Sequence, residues 1–322
     1  MRDASGWSQQ ERLWSASRRG DLSGITGELA EAAGDAAELV LSGDDSAAIL
    51  LEALATTTQS AMYWQEPDPA DMALEDQAIR EALLPVVEAL EQVPEAAWWA
   101  APMDVHSQQR VLRGVAEPSL LTGIPAALAR WQAAEAEEEE KAAGRPSDPA
   151  APWSGHWWST PAMARLPETS RELPGFGAAG LALVEDPLGW TEASCQPVRT
   201  DPNARCYEVD GPDRWAHLAD QYPFDVTNSR RHDWWRVTGW AGPWLMPDYA
   251  AVAGDYDAVH VTVLGYLTTA GRDISAGPGG ARTMLAGWAP DTTFWLADML
   301  SDSGPATEWV AEDGELLWTQ AR

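Results

Sequence analysis

The chain has 322 residues, 45% of them hydrophobic and 22% charged, which is enough apolar material for a proper core and excludes disorder along the whole length. Fifty acidic residues against twenty-one basic ones give a formal charge of −29, a field that repels phosphate backbones and anionic membrane surfaces, so neither nucleic acid nor membrane is an expected partner. There is no apolar run of about 18 residues to span a bilayer, Met1–Trp7 lacks the apolar stretch of a secretory signal, and Cys195 and Cys206 are too few for a disulfide framework, so the expected location is the cytoplasm.

In chain order, residues 1–143 read as a helical domain. Gly43-Asp44-Asp45-Ser46 ends one helix and offers caps to the next. That next helix carries Ile49, Leu50, Leu51, Leu54, Ala61 and Met62 on roughly one face, and it stops before Pro67. Asp71 is placed to cap a helix with Leu74, Ile79, Leu83, Leu84, Val87 and Leu90 inside, and Pro85 is expected to kink it or mark a fresh start. A last helix over Pro125–Ala143 ends in the acidic run Glu135, Glu137, Glu138, Glu139 and Glu140, expected to be a solvated face. It leads into Gly144-Arg145-Pro146-Ser147-Asp148-Pro149-Ala150-Ala151-Pro152, whose composition reads as a linker.

From 153 to 322 the texture changes. Thirteen of the nineteen Trp lie here among short alternating runs and frequent Gly and Pro, which predicts a Trp-rich mixed α/β domain with a small, mainly antiparallel sheet, and so an α+β protein overall. Strands are predicted at 181–184, 206–209 and 259–264. A terminal hairpin is predicted from 308–311 and 315–318, turning at Glu312-Asp313-Gly314. A helix after Pro212 would turn Trp215, Leu218 and Ala219 inward.

Nucleophile elbows, phosphate loops, dinucleotide fingerprints and zinc-protease motifs are all missing from the sequence. In the 259–264 strand, alternation puts three valines on one side and His260 with Thr262 on the other, where a site could be built. Trp234, Trp235, Trp240, Trp244 and Tyr249 could form a core, line a pocket or present a docking face for another protein. Trp234, Trp235, Trp244 and Tyr266 are the residues expected to touch a ligand.

Three local resemblances bear on function. Asp257-Ala258-Val259-His260 resembles the Asp-x-x-His block of SGNH hydrolases, which implies an Asp257-oriented His260 base. The nearest match to that family's Gly-Asp-Ser block, Ser42-Gly43-Asp44-Asp45-Ser46, carries an extra acid. Ala204–Val209, Val259–Thr262 and Glu308 resemble, in order, the Arg strand, the Ser-Thr-Ser strand and the acid of ADP-ribosyltransferases. That resemblance implies an NAD site held by Arg205 and Thr262, with Glu308 stabilising an oxocarbenium-like ribose; Thr in place of Ser and Ala306 two residues before Glu308 depart from the pattern. The run Arg205–Trp295 resembles uncharacterised actinobacterial proteins, which implies no activity. The candidate catalytic residues are therefore Arg205, Thr262, Glu308 and His260, and three functions are expected: an ADP-ribosyltransferase-like activity of Arg205, Thr262 and Glu308 on NAD, a non-catalytic module that binds a small molecule or a protein, or a hydrolase using Asp257 and His260.

Overall fold

A computed structural model describes residues 26–43, 45–114, 121–185 and 188–321. The described residues form two compact units, those within 26–50 together with 66–97, and those within 51–65 together with 98–321. The expected linker at 144–152 falls inside the second unit.

In the first unit, helix α1 (Thr26–Ser42) packs on helix α4 (Gln77–Leu90). Small inward residues, Ala33 and Ala37 on α1 and Ala89 on α4, let the two backbones approach closely. The cap of α4 is Asp76, whose carboxylate accepts from the amides of Ala78 and Ile79. Asp71 lies instead within the short helix α3 (Pro69–Leu74). Pro85 sits inside α4 without ending it. Helix α2 (Ser46–Ser60) begins in this unit, and its residues from Leu51 onward belong to the second.

The second unit is organised by one large sheet, not the small one the sequence suggests. Its strands are β1 (Gln108–Arg113), β2 (Glu168–Leu173), β3 (Gly177–Ala178), β4 (Glu192–Thr200), β5 (Cys206–Val209), β8 (Ala258–Val261), β11 (Thr292–Trp295), β12 (Leu300–Asp302), β13 (Thr307–Val310) and β14 (Thr319–Gln320). The order is β14-β13-β4-β1-β2-β11-β8-β5, with β12 beside β4 and β3 beside β2. The pairings are antiparallel except β5 with β8. Two-stranded pairs β6 (Pro223–Asp225) with β7 (Leu245–Pro247), and β9 (Ile274–Ser275) with β10 (Arg282–Thr283), complete the strands among the described residues.

The helices of this unit are α5 (Ile124–Ala142), α6 (Ala179–Ala182), α7 (Pro212–Gln221), α8 (Arg231–Thr238), α9 (Tyr249–Val252) and α10 (Val263–Thr269). As predicted, α7 buries Trp215, Leu218 and Ala219. The segment 181–184 is the end of α6 and the turn after it, not a strand. The strand predicted to reach 264 stops at Val261, because Thr262 caps α10 by accepting from the Gly265 amide at 2.9 Å. A Cβ on Gly265 would sit 2.1 Å from the Val209 carbonyl, so only glycine lets α10 lie this close to β5.

The acidic run of α5 is a solvated face only in part: Glu137 and Glu140 are exposed, and the other three acids have partners. Glu135 is buried and pairs with Arg230 at 2.9 Å, Glu138 pairs with Arg145, and Glu139 accepts the amides of Asn228 and Ser229 at 2.7 and 2.8 Å. On the same helix, Ile124, Ala127, Leu128 and Trp131 enter the main core with Trp215, Trp234, Trp244 and Trp288. No helix among the described residues is long and apolar enough to cross a membrane.

Candidate functional site

Directly paired residues in a sheet share a face, so the register fixes what each side of the large sheet presents. On one face Tyr207, Val209, Val259, Val261 and Phe294 join the main core, and at the opposite end Ala193, Cys195 and Trp309 form a second apolar cluster. The strands between them, β1 and β2, carry Gln109, Val111, Arg113, Glu168 and Ser170 on that same face. Four of these five are polar, at the centre of a sheet where apolar side chains are the rule.

The polar strip lines one small cavity, and its Arg113 reaches a second, larger one. A small one, about 60 Å3, is bounded by Gln109, Arg113, Glu168, Ser170, Gly180 and Thr292. A larger one, about 220 Å3, has Arg113, Leu181, Trp190 and Trp318 along its walls and Glu312, Asp313 and Glu315 at its edge. Arg113 borders both. Its Nη2 donates to the carbonyls of Gly180 and of Leu181, the latter at 3.3 Å, and its guanidinium lies 5.3 Å from the centre of the Trp190 ring. Gly177, at φ +73, makes this roof possible, since a Cβ there would collide with Leu181 and the Trp309 ring.

Five arginines well removed from solvent (Arg110, Arg145, Arg171, Arg230 and Arg236) each pair with a carboxylate. Arg113 forms no ion pair with any described residue. Burial pulls its pKa down, against the attraction of Glu168. Glu168 meets solvent through the cavity yet is hemmed in by protein, and this desolvation raises its carboxyl, opposed by Arg113.

The other face is the reverse case. His260, fully buried, places Nδ1 2.6 Å from Glu208 Oε2 and Nε2 3.3 Å from Asp291 Oδ1. Burial opposes a charge on the ring, but the hydrogen bonds to Asp291 and Glu208 outweigh it and raise the His260 pKa. A ring facing a carboxylate at each nitrogen donates from both, the imidazolium form. Asp291 also accepts from the Arg171 amide at 2.9 Å and from Arg171 Nε at 2.6 Å. Arg171 Nη2 donates to the carbonyls of Ala101 and Pro102, and Glu208 accepts the Met103 amide at 3.1 Å. Two cations and two anions thus close on themselves and clamp residues 101–103 to the sheet.

Comparison with protein-family models, characterised proteins and solved structures gives no match to this chain. Its function has to be read from the geometry.

The residues singled out by sequence are not brought together. Arg205 is held by Asp257 through Nε at 3.2 Å and Nη2 at 3.1 Å. Thr262 is buried as a helix cap. Glu308, on β13, is exposed and accepts from Ser194 at 3.0 Å. Six strand positions separate β13 from β5, on the order of 29 Å, so these residues do not fit an NAD site. Asp257 faces Arg205 and not His260, whose partners are Glu208 and Asp291, so the Asp-His pair of the hydrolase resemblance is not formed either.

Of the aromatic residues expected to touch a ligand, Trp234 and Trp244 are core, packed edge-to-face at 5.1 Å. Trp235 is half-buried beside them in α8. Tyr266 is buried, and its hydroxyl donates to Glu185 at 3.1 Å; burial pushes that carboxyl up to about 8, against the hydrogen bonds from Tyr266 and Gly287.

Sequence reasoning missed Arg113, Glu168, Trp190 and Trp318 as site residues. The available signal was the alternation Gln109-x-Val111-x-Arg113 and Glu168-x-Ser170, too polar to read as buried strand.

Proposed function

We propose that the second unit is a binding module for a small molecule with an anionic group, anchored by Arg113. The observation that supports it is the half-buried Arg113, which borders two cavities and has no ion-pair partner among the described residues of a chain with fifty acids. Taking a guanidinium out of water costs several kcal/mol unless an anion accompanies it. Here two backbone carbonyls satisfy part of its hydrogen bonding, and no carboxylate among the described residues forms an ion pair with it. A carboxylate or phosphate oxygen entering the cavity would supply the missing charge in the forked geometry that guanidinium favours.

Isothermal calorimetry of the full chain with benzoate, acetate and inorganic phosphate tests this reading. At least one anion should bind. A hydrogen bond to a charged group contributes about 1.5–3 kcal/mol, so Arg113→Met should weaken that binding by about 10–100-fold. Failure of all three anions to bind, or equal binding by the variant, overturns it.

A further inference from the structure

The larger cavity has opposite signs at its two ends. Inside is the Arg113 guanidinium; at the edge are Glu312, Asp313 and Glu315, on an exposed turn; Trp190 and Trp318 line the space between. A simple anion entering this cavity meets three carboxylates at its edge, against the field of a chain carrying −29. A ligand with a cation at its outer end meets neither obstacle. The acids then attract it, and the indoles cover its middle. The volume, about 220 Å3, lies below the roughly 300–1,000 Å3 of drug-sized sites, which limits the ligand to about the size of an amino acid.

We infer that this cavity takes a small zwitterion whose anionic and cationic groups sit at opposite ends of a short apolar or aromatic body, anion on Arg113 and ammonium against Glu312, Asp313 and Glu315. The inference rests on the anion-site reading above and adds the second charge and the spacing. Specificity then follows from paired attraction at both ends together with repulsion of molecules that carry the anion alone.

Three probes of one shape test it on the full chain by calorimetry: 4-(aminomethyl)benzoate, benzoate and benzylamine. The zwitterion should bind at least about tenfold tighter than either single-charge analogue. The triple variant Glu312→Gln, Asp313→Asn, Glu315→Gln changes only exposed side chains, and its thermal melt should match the parent chain. In that variant the zwitterion's advantage over benzoate should vanish while benzoate binds as well or better. Benzoate binding as tightly as the zwitterion to the unmodified chain overturns the inference and leaves the anion site standing. An advantage that survives in the triple variant also overturns it. If none of the three probes binds, and acetate and phosphate fail too, the anion site itself is overturned.

Discussion

The two faces of the large sheet solve the problem of buried charge in opposite ways. On one, Glu208, His260, Asp291 and Arg171 satisfy each other, and the leftover donors and acceptors of Arg171 and Glu208 hold the backbone of residues 101–103. On the other, Arg113 and Glu168 are diagonal neighbours across β1 and β2, with no ion pair between them and cavities beside them. A titratable cluster with a raised histidine pKa attracts attention as a possible active centre, but closure of its hydrogen bonds marks it as a fastener. The open pair is the better candidate, because charges that a fold leaves uncompensated need something from outside.

The largest expected effect lies on the closed face. Asp291→Ala leaves Arg171 buried without its counter-ion and His260 with one carboxylate, and breaking a buried pair from one side costs about 3–5 kcal/mol. Asp291 also has φ +57, a left-handed backbone that alanine adopts with more strain. Urea unfolding should show a loss of that size. A loss under about 1 kcal/mol would mean that the network fastens nothing, and the contrast between the faces would fail.

A pH series sharpens the same contrast. The folded pKa of His260 lies above its ordinary 6.5, so its contribution is fully present below that pH and is lost as pH rises through the folded value. Glu185 acts in the same direction over a lower window. Its unfolded carboxyl titrates near 4.5 and its folded one near 8, so its contribution fades as pH rises between them. Unfolding measured from about pH 5 to about pH 9 should therefore show stability declining, at up to about 1.4 kcal/mol per pH unit for each group. Glu185→Gln should flatten the lower part and keep the fall above pH 6.5. Adding His260→Gln should remove that fall as well. A flat curve above pH 6.5 in Glu185→Gln alone would show that His260 carries no proton at its second nitrogen.

These sites differ in how far the sequence revealed them, and the reason is physical. Strands β5 and β8 and helix α7 announce themselves, since Tyr207, Val209, Val259, Val261 and Trp215 are apolar at the right period. The turn at Glu312–Gly314 likewise joins β13 to β14, though the pairing resumes only at Thr319. Strands β1 and β2 give no such signal: Gln-Gln-Arg-Val-Leu-Arg and Glu-Thr-Ser-Arg-Glu-Leu carry charge on both faces, and only tertiary partners, as for Arg110 and Arg171, make its burial possible. The expected sheet is small for that reason. Glu135 in a run of acids reads as solvated until Arg230, far away in sequence, is seen opposite it. Local periodicity reports burial when the buried groups are apolar; it is silent where burial depends on a partner many residues away.

The smallest expected effect belongs to the open face, and it discriminates most sharply. Arg113→Met keeps a long unbranched chain beside Trp190 and forfeits the hydrogen bonds to the Gly180 and Leu181 carbonyls. Two ordinary hydrogen bonds contribute about 1 kcal/mol each, and those carbonyls can turn to water in the cavity. Against that loss stands removal of a partly desolvated charge that forms no ion pair with any described residue, which relieves a desolvation cost. The net change in unfolding free energy, without ligand, should fall within about 1 kcal/mol of zero. Arg171 and Arg113 sit on adjacent strands of one sheet, the first buried and the second half-buried, and their equivalent substitutions compare a paired guanidinium with one that has no ion pair among the described residues. A structural arginine costs several kcal/mol to remove, whereas one kept for a ligand costs little until the ligand is added. A loss of about 3 kcal/mol or more on Arg113→Met would put it in the same class as Arg171, and the distinction between a fastened face and an open one would be gone.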